Sequence, residues 1–139
     1  MNEQQVRHIV REVLKEYISA GGLDRIEDYA DSMFNPIGVD IEFSRHFLDR
    51  LNDPRNIIDI ESYEMKDLFK KLYNKYGQKI PNLKKGQGIE AVVTDMNSNI
   101  NIPFEITWDK KNKKFDMNGI TVMRKKNFKG YPGNMKMKV

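Results

Sequence analysis

No cysteine occurs in the 139 residues, which removes disulfides, thiolate metal sites and cysteine nucleophiles together. Histidine is almost as scarce: there are two, His8 and His46, and no set of ligands has metal-binding spacing. Neither a metal nor a cofactor is expected. No apolar run approaches the ~20 residues that a membrane-spanning helix needs, so no membrane partner is expected. The opening residues MNEQQVRHIVREVLKEY carry charge throughout and lack the apolar block of a secretory signal, which points away from export. Lys84-Lys85-Gly86-Gln87-Gly88 has neither the strand before nor the helix after that a phosphate-cradling glycine loop requires, and no G-x-S-x-G element exists.

What is present is ordinary globular material, 39% hydrophobic and 10% aromatic, in a chain of a length that suits one domain. The net charge of +4 hides an asymmetry. Residues 1–64 hold 7 basic and 14 acidic side chains, whereas residues 65–139 hold 17 and 6. A basic half of this kind is either a solvated lysine surface or a face for a polyanion such as RNA.

Apolar periodicity divides the chain. Val6, Ile9, Val10, Val13, Leu14 and Tyr17 recur at spacings of three and four, predicting a helix over residues 3–18 that stops at Ala20-Gly21-Gly22. Residues 1–22 therefore read as an amphipathic helical arm, packed on the domain or offered to a protein partner. Residues 23–34 form a second, acidic helix, ended by Asn35-Pro36-Ile37-Gly38. Residues 41–43 lead into a short helix with Phe43, Phe47, Leu48 and Leu51 inward, stopped at Asp53-Pro54. Ser62 is the predicted N-cap of a helix over residues 63–76, closed by Gly77.

From Ile89 the period becomes two. Residues 89–96 and 100–108 read as strands around the Asn97-Ser98-Asn99 turn. Phe115 and Met117 occupy odd positions but Ile120 and Val122 even ones, so one extra residue, a β-bulge, is predicted at Asn118-Gly119. Residues 130–139 read as a flexible basic tail. The expected architecture is α+β: residues 23–129 form one domain, with two helices on an antiparallel sheet of three or four strands.

The chemistry concentrates in Ser44-Arg-His-Phe-Leu-Asp-Arg-Leu-Asn-Asp-Pro-Arg-Asn56 and in Thr121-Val-Met-Arg-Lys-Lys-Asn-Phe-Lys129. His46 and Arg50 share a helix face, and Asp49 is close enough to orient the imidazole. Cleavage of RNA without metal needs a base for the 2′-hydroxyl, an acid for the leaving oxygen and cations for the phosphorane. His46, Arg50, Thr121 and Arg124 form the candidate catalytic set. Arg55, Asn56, Lys125, Lys126 and Lys129 are the candidate nucleic-acid contacts. The same residues also describe a helix with a solvated face, with Arg50 paired to Asp49 or Asp53, followed by a basic strand.

The order HF-x-DR-x-N-D-x-R-N (residues 46–56), EL-x-x-LF (Glu64 to Phe69, where Met65 stands at the pattern's leucine), V-x-D (residues 93–95), an alternating strand (residues 101–108) and T-x-M-R-K-K-x-F (residues 121–128) resembles small proteins encoded by tailed phages, notably marine and cyanobacterial myophages. The layout is also similar to that of RelE-like and colicin-D-like ribonucleases. That resemblance implies a helix-borne His46 and Arg50 working against Thr121 and Arg124 on a late strand, a host-cytoplasmic or virion location, and RNA as partner. Leu14-Lys15-Glu16 fits the loose L-x-E pattern of prohead protease sites, which implies the alternative of a non-enzymatic virion protein docking through its N-terminal helix.

Overall fold

The computed structural model describes Asn2 and residues 18–139; the predicted helix over residues 3–18 lies almost entirely outside the described residues. In chain order the elements are α1 (Ala20–Phe34), β1 (Val39–Phe43), α2 (Phe47–Leu51), α3 (Ser62–Tyr76), β2 (Ile89–Thr94), β3 (Ile100–Asp109), β4 (Lys114–Gly119), β5 (Met123–Arg124) and β6 (Met135–Lys138). The fold class is α+β.

Helix α1 begins where the sequence predicts a stop. Ser19 is its N-cap, accepting from the Gly22 N–H at 3.0 Å, so Gly21 and Gly22 form the first turn. A serine cap outweighs the helix cost of two glycines at a terminus, where few intrahelical bonds depend on them. At α3 the cap is Glu61, not Ser62. The Glu61 N–H donates to Glu64 Oε1 at 3.1 Å, half of a capping box.

The sheet is mixed and six-stranded, not antiparallel with three or four strands. Its order is β1-β4-β3-β2-β6, with β5 paired to β3. β1 runs parallel to β4 and β6 parallel to β2, while β2, β4 and β5 are antiparallel to β3. Both parallel strands are short edges recruited from distant sequence. Residues 135–138 are thus a strand, not a loose tail, with Met137 buried in the core.

Helices α1 and α3 cover one face of the sheet. Ile26, Ala30 and Phe34 of α1 meet Met65, Leu68, Phe69 and Leu72 of α3 over Val93, Ile102, Phe104, Ile106 and Met117. Full burial of each large side chain contributes about 1.5–3 kcal/mol. The alternate residues face outward: Glu42, Asn118, Glu105 and Glu90 fall in one row across β1, β4, β3 and β2.

The phase slip predicted in the last strands is real but sits further on. Between the pairs Phe104–Gly119 and Asn101–Met123, β3 advances three residues while its partner advances four. The surplus lies after Gly119, opposite Pro103, whose carbonyl accepts from the Ile120 N–H at 2.9 Å. Proline has no N–H to hold a partner strand in register, so the neighbour departs there. Ile120 consequently faces solvent and Val122 returns to the core.

Candidate functional site

The slip after Gly119 carries residues 120–126 toward α2. Phe47 and Leu51 are buried, leaving His46 and Arg50 on the exposed side of that helix. Phe47 stacks on Phe43 at 4.4 Å between ring centroids, and Phe43 meets Phe69 at 5.9 Å. This pair packs against Gly119, where an added Cβ would lie 3.0 Å from Phe43 and 3.1 Å from Phe47. Ser44 then stitches the two segments together. Its N–H donates to Gly119 O at 2.8 Å and its hydroxyl to Ile120 O at 2.6 Å.

Between these segments lies a cavity of about 870 Å³. Eight of the nine residues singled out in the sequence line it: His46, Arg50, Arg55, Asn56, Thr121, Arg124, Lys125 and Lys126. Lys129 is exposed and outside it. Five lining residues are formally cationic and one, Asp53, is anionic, so the cavity attracts anions.

The gathered residues do different work. Arg124 spends all five N–H donors on the protein. Nε donates to Ile58 O (3.0 Å), Nη1 to Glu64 Oε2 (3.0 Å) and Ser98 O (2.9 Å), and Nη2 to Glu64 Oε1 (2.7 Å) and Asp59 O (2.8 Å). A guanidinium so engaged has no donor left for a phosphorane, so Arg124 departs from its expected catalytic part; it clamps the 57–60 loop to α3 and β5. Asn56, expected to contact nucleic acid, is 4% exposed. Its amide donates to Arg50 O at 3.0 Å and its Oδ1 accepts from the Arg124 N–H at 3.0 Å, pinning α2 to β5.

His46, Thr121, Lys125 and Lys126 are the accessible members. His46 is exposed at the N-cap position of α2 and makes no side-chain hydrogen bond among the described residues, including none to Asp49. Lys125 and Lys126 are exposed, and the Lys125 N–H donates to Asn99 O at 2.9 Å, which fixes the strand beneath its side chain. Arg50 does pair with Asp53, Nη1 to Oδ2 at 3.5 Å. Arg55 holds the same carboxylate at 2.7 Å, and its hydrogen bonds are the main cause of an Asp53 pKa lowered to about 2.

Behind the clamp stands Asp95, 1% exposed. It pairs with Lys71 Nζ at 2.8 Å and accepts from the N–H groups of Asn97 and Ser98. That turn supplies the Ser98 and Asn99 carbonyls used by Arg124 and Lys125. In the sequence Asp95 looks isolated, and Glu64 has no evident role at the site. The Glu64 position in the first turn of α3 was the available signal, since a carboxylate there is held by the helix end and can reach outward.

Asp40, Glu42 and Asp116 place carboxylate oxygens within 4.8 Å of one another on the outward sheet face, away from the cavity. Lys114 Nζ already meets two of them, at 3.3 Å and 4.0 Å. Among the described residues no helix is long and apolar enough to cross a membrane. No protein-family model, curated protein or solved structure matches this chain.

Proposed function

We propose that this chain is a phage-encoded, RelE-like domain that binds RNA in the cavity between α2 and β5 and cleaves it by metal-independent acid/base chemistry. The observation that carries the reading is the meeting of His46 and Arg50 with Thr121, Lys125 and Lys126 in one open, cationic cavity, although some 70 residues separate the two segments. In this reading His46 takes the 2′-hydroxyl proton as that oxygen attacks phosphorus and returns it to the 5′-oxygen as the P–O5′ bond breaks, Thr121 donates to a phosphate oxygen, and Arg50, Lys125 and Lys126 offset the charge that builds on the phosphorane. Arg124 acts by holding the wall. The mixed sheet departs from the expected RelE-like layout, so the site, not the topology, supports the reading.

The test is incubation of the purified protein with ribosome-bound and free RNA in the presence of chelator. Cleavage by wild type that His46→Ala abolishes is the expected result. Binding without cleavage would remove the catalytic half of the proposal, and no binding would remove all of it.

A second reading has its own observation. Ile18, Ser19, Gly22 and Arg25 form a groove of about 440 Å³ with Glu61, Ser62, Tyr63 and Lys66, and Tyr63 is 68% exposed beside it. An exposed aromatic next to the segment that leads to the predicted arm suits a virion protein docked through that arm. Absence of the protein from purified particles would refute it.

A further inference from the structure

Two of the cavity's cations are already partnered from within it. Asp53 Oδ2 accepts from Arg55 Nη2 at 2.7 Å and Nε at 3.0 Å, and Arg50 Nη1 stands 3.5 Å from the same oxygen. Lys125 and Lys126, contributed by the other segment, form no ion pair among the described residues. Apart from Arg124, which Glu64 and backbone carbonyls hold in the wall, the cavity therefore has two kinds of cation: Arg50 and Arg55, which grip an internal carboxylate, and Lys125 and Lys126, which do not. A carboxylate held in a guanidinium fork sits where a phosphate oxygen would be held, because the two anions accept from the same donors at similar distances.

We propose that Asp53 is an internal anion seated on Arg50 and Arg55, and that it makes the cavity select ligands with several phosphates over single small anions. This rests on the reading of the cavity as a polyanion site. A lone anion is drawn by Lys125 and Lys126 but repelled by Asp53. A ligand with a second phosphate keeps the lysines occupied while that phosphate replaces the carboxylate on the arginines. The carboxylate stays ionised through the neutral range, because the Arg55 hydrogen bonds hold its pKa down at about 2.

The backbone at Asp53 allows a clean test. Its Oδ1 also accepts from the Arg55 N–H at 2.9 Å, and the amide oxygen of asparagine can make that same bond. Asp53→Asn should therefore remove the charge and keep the turn. With a short labelled oligouridylate at low salt, Asp53→Asn should bind about three- to ten-fold tighter than wild type, the gain fading as salt rises. Inorganic phosphate should compete at lower concentration with Asp53→Asn than with wild type. In an Arg50→Ala/Arg55→Ala background the gain should vanish.

Unchanged or weaker binding by Asp53→Asn overturns the proposal. So does an equal gain without the two arginines, which would reduce Asp53 to one more unit of net charge. If Asp53→Asn melts early, Asp53→Ser, whose hydroxyl can accept the same N–H, carries the comparison. Wild-type protein that binds no oligonucleotide would overturn the polyanion reading and this inference with it. Wild-type binding with no gain in the variant overturns this inference alone.

Discussion

Glu64 and Arg124 hold each other through two parallel hydrogen bonds, Nη2 to Oε1 at 2.7 Å and Nη1 to Oε2 at 3.0 Å, with side chains only 15% and 13% exposed. This fork–fork pair joins the first turn of α3 to the strand that walls the cavity. Removing one partner strands the other in a mostly buried site. Arg124→Ala should cost about 2–4 kcal/mol of folding stability in urea melts, against less for Glu64→Gln, which keeps one acceptor. Equal stability of Arg124→Ala and wild type would show that the clamp is ornamental.

His46 offers the opposite expectation. It is exposed and unpaired among the described residues, so His46→Ala should change stability by no more than about 0.5 kcal/mol while abolishing cleavage. A melt that shifts as much as the activity would place His46 in the scaffold.

Lys125→Ala and Lys126→Ala should each weaken RNA binding without changing the melt. If each lysine neutralises one phosphate, the slope of log affinity against log salt should flatten by about 0.7–0.9 per substitution. A slope that does not move would mean that these lysines only decorate the rim.

Gly119 is tightly enclosed. An added Cβ would meet Phe43, Phe47 and Phe104 at 3.0, 3.1 and 3.4 Å. Gly119→Val must therefore displace rings that position both α2 and the slip toward Thr121, and should cost about 2–3 kcal/mol by denaturation. Tolerance of valine would mean that the aromatic cluster is looser than its spacing.

Two groups of carboxylates should respond to acid with opposite sign. Burial pushes the Asp95 pKa up, but Lys71 and the N–H groups of Asn97 and Ser98 outweigh it, and the folded value lies below the ordinary 3.8. Its contribution is therefore present above that value and lost as pH falls through the depressed one. Unfolding curves for wild type and Asp95→Asn should draw together below about pH 4. Glu42 is raised, by burial first and then by Asp40 and Asp116. Glu42→Gln should stabilise the protein at pH 7 by less than about 1 kcal/mol, the advantage disappearing as acid protonates Glu42.

Much of the interior was legible because it is periodic. The stripe of Met65, Leu68, Phe69 and Leu72 and the alternation from Ile100 to Ile106 state their buried faces directly. The parallel edges were not legible. Val39–Phe43 and Met135–Lys138 are five and four residues long, and their partners, β4 and β2, lie far away in sequence. Nothing in such a short alternation says which strand it joins, or in which direction.

At the site, residue types and segments were legible and roles were not. His46 and Arg124 look equally functional in a string of letters. Only the hydrogen bonds separate them: none for the imidazole among the described residues, five for the guanidinium. Asp53 was visible as a neighbour for Arg50, but its place inside the cavity depends on the turn that follows α2.

The two parallel edges bear on how the molecule is made. β1 joins β4 across more than 70 residues, and β6 joins β2 only after residues 135–138 exist. Long loops must close before either pairing repays their entropy, so the sheet should assemble late and slowly for a domain of this size. During synthesis the β2–β3–β4 meander can form early, but β2 keeps a bare edge until the last strand arrives. That waiting edge is where a nascent or truncated chain would pair with a neighbour and aggregate.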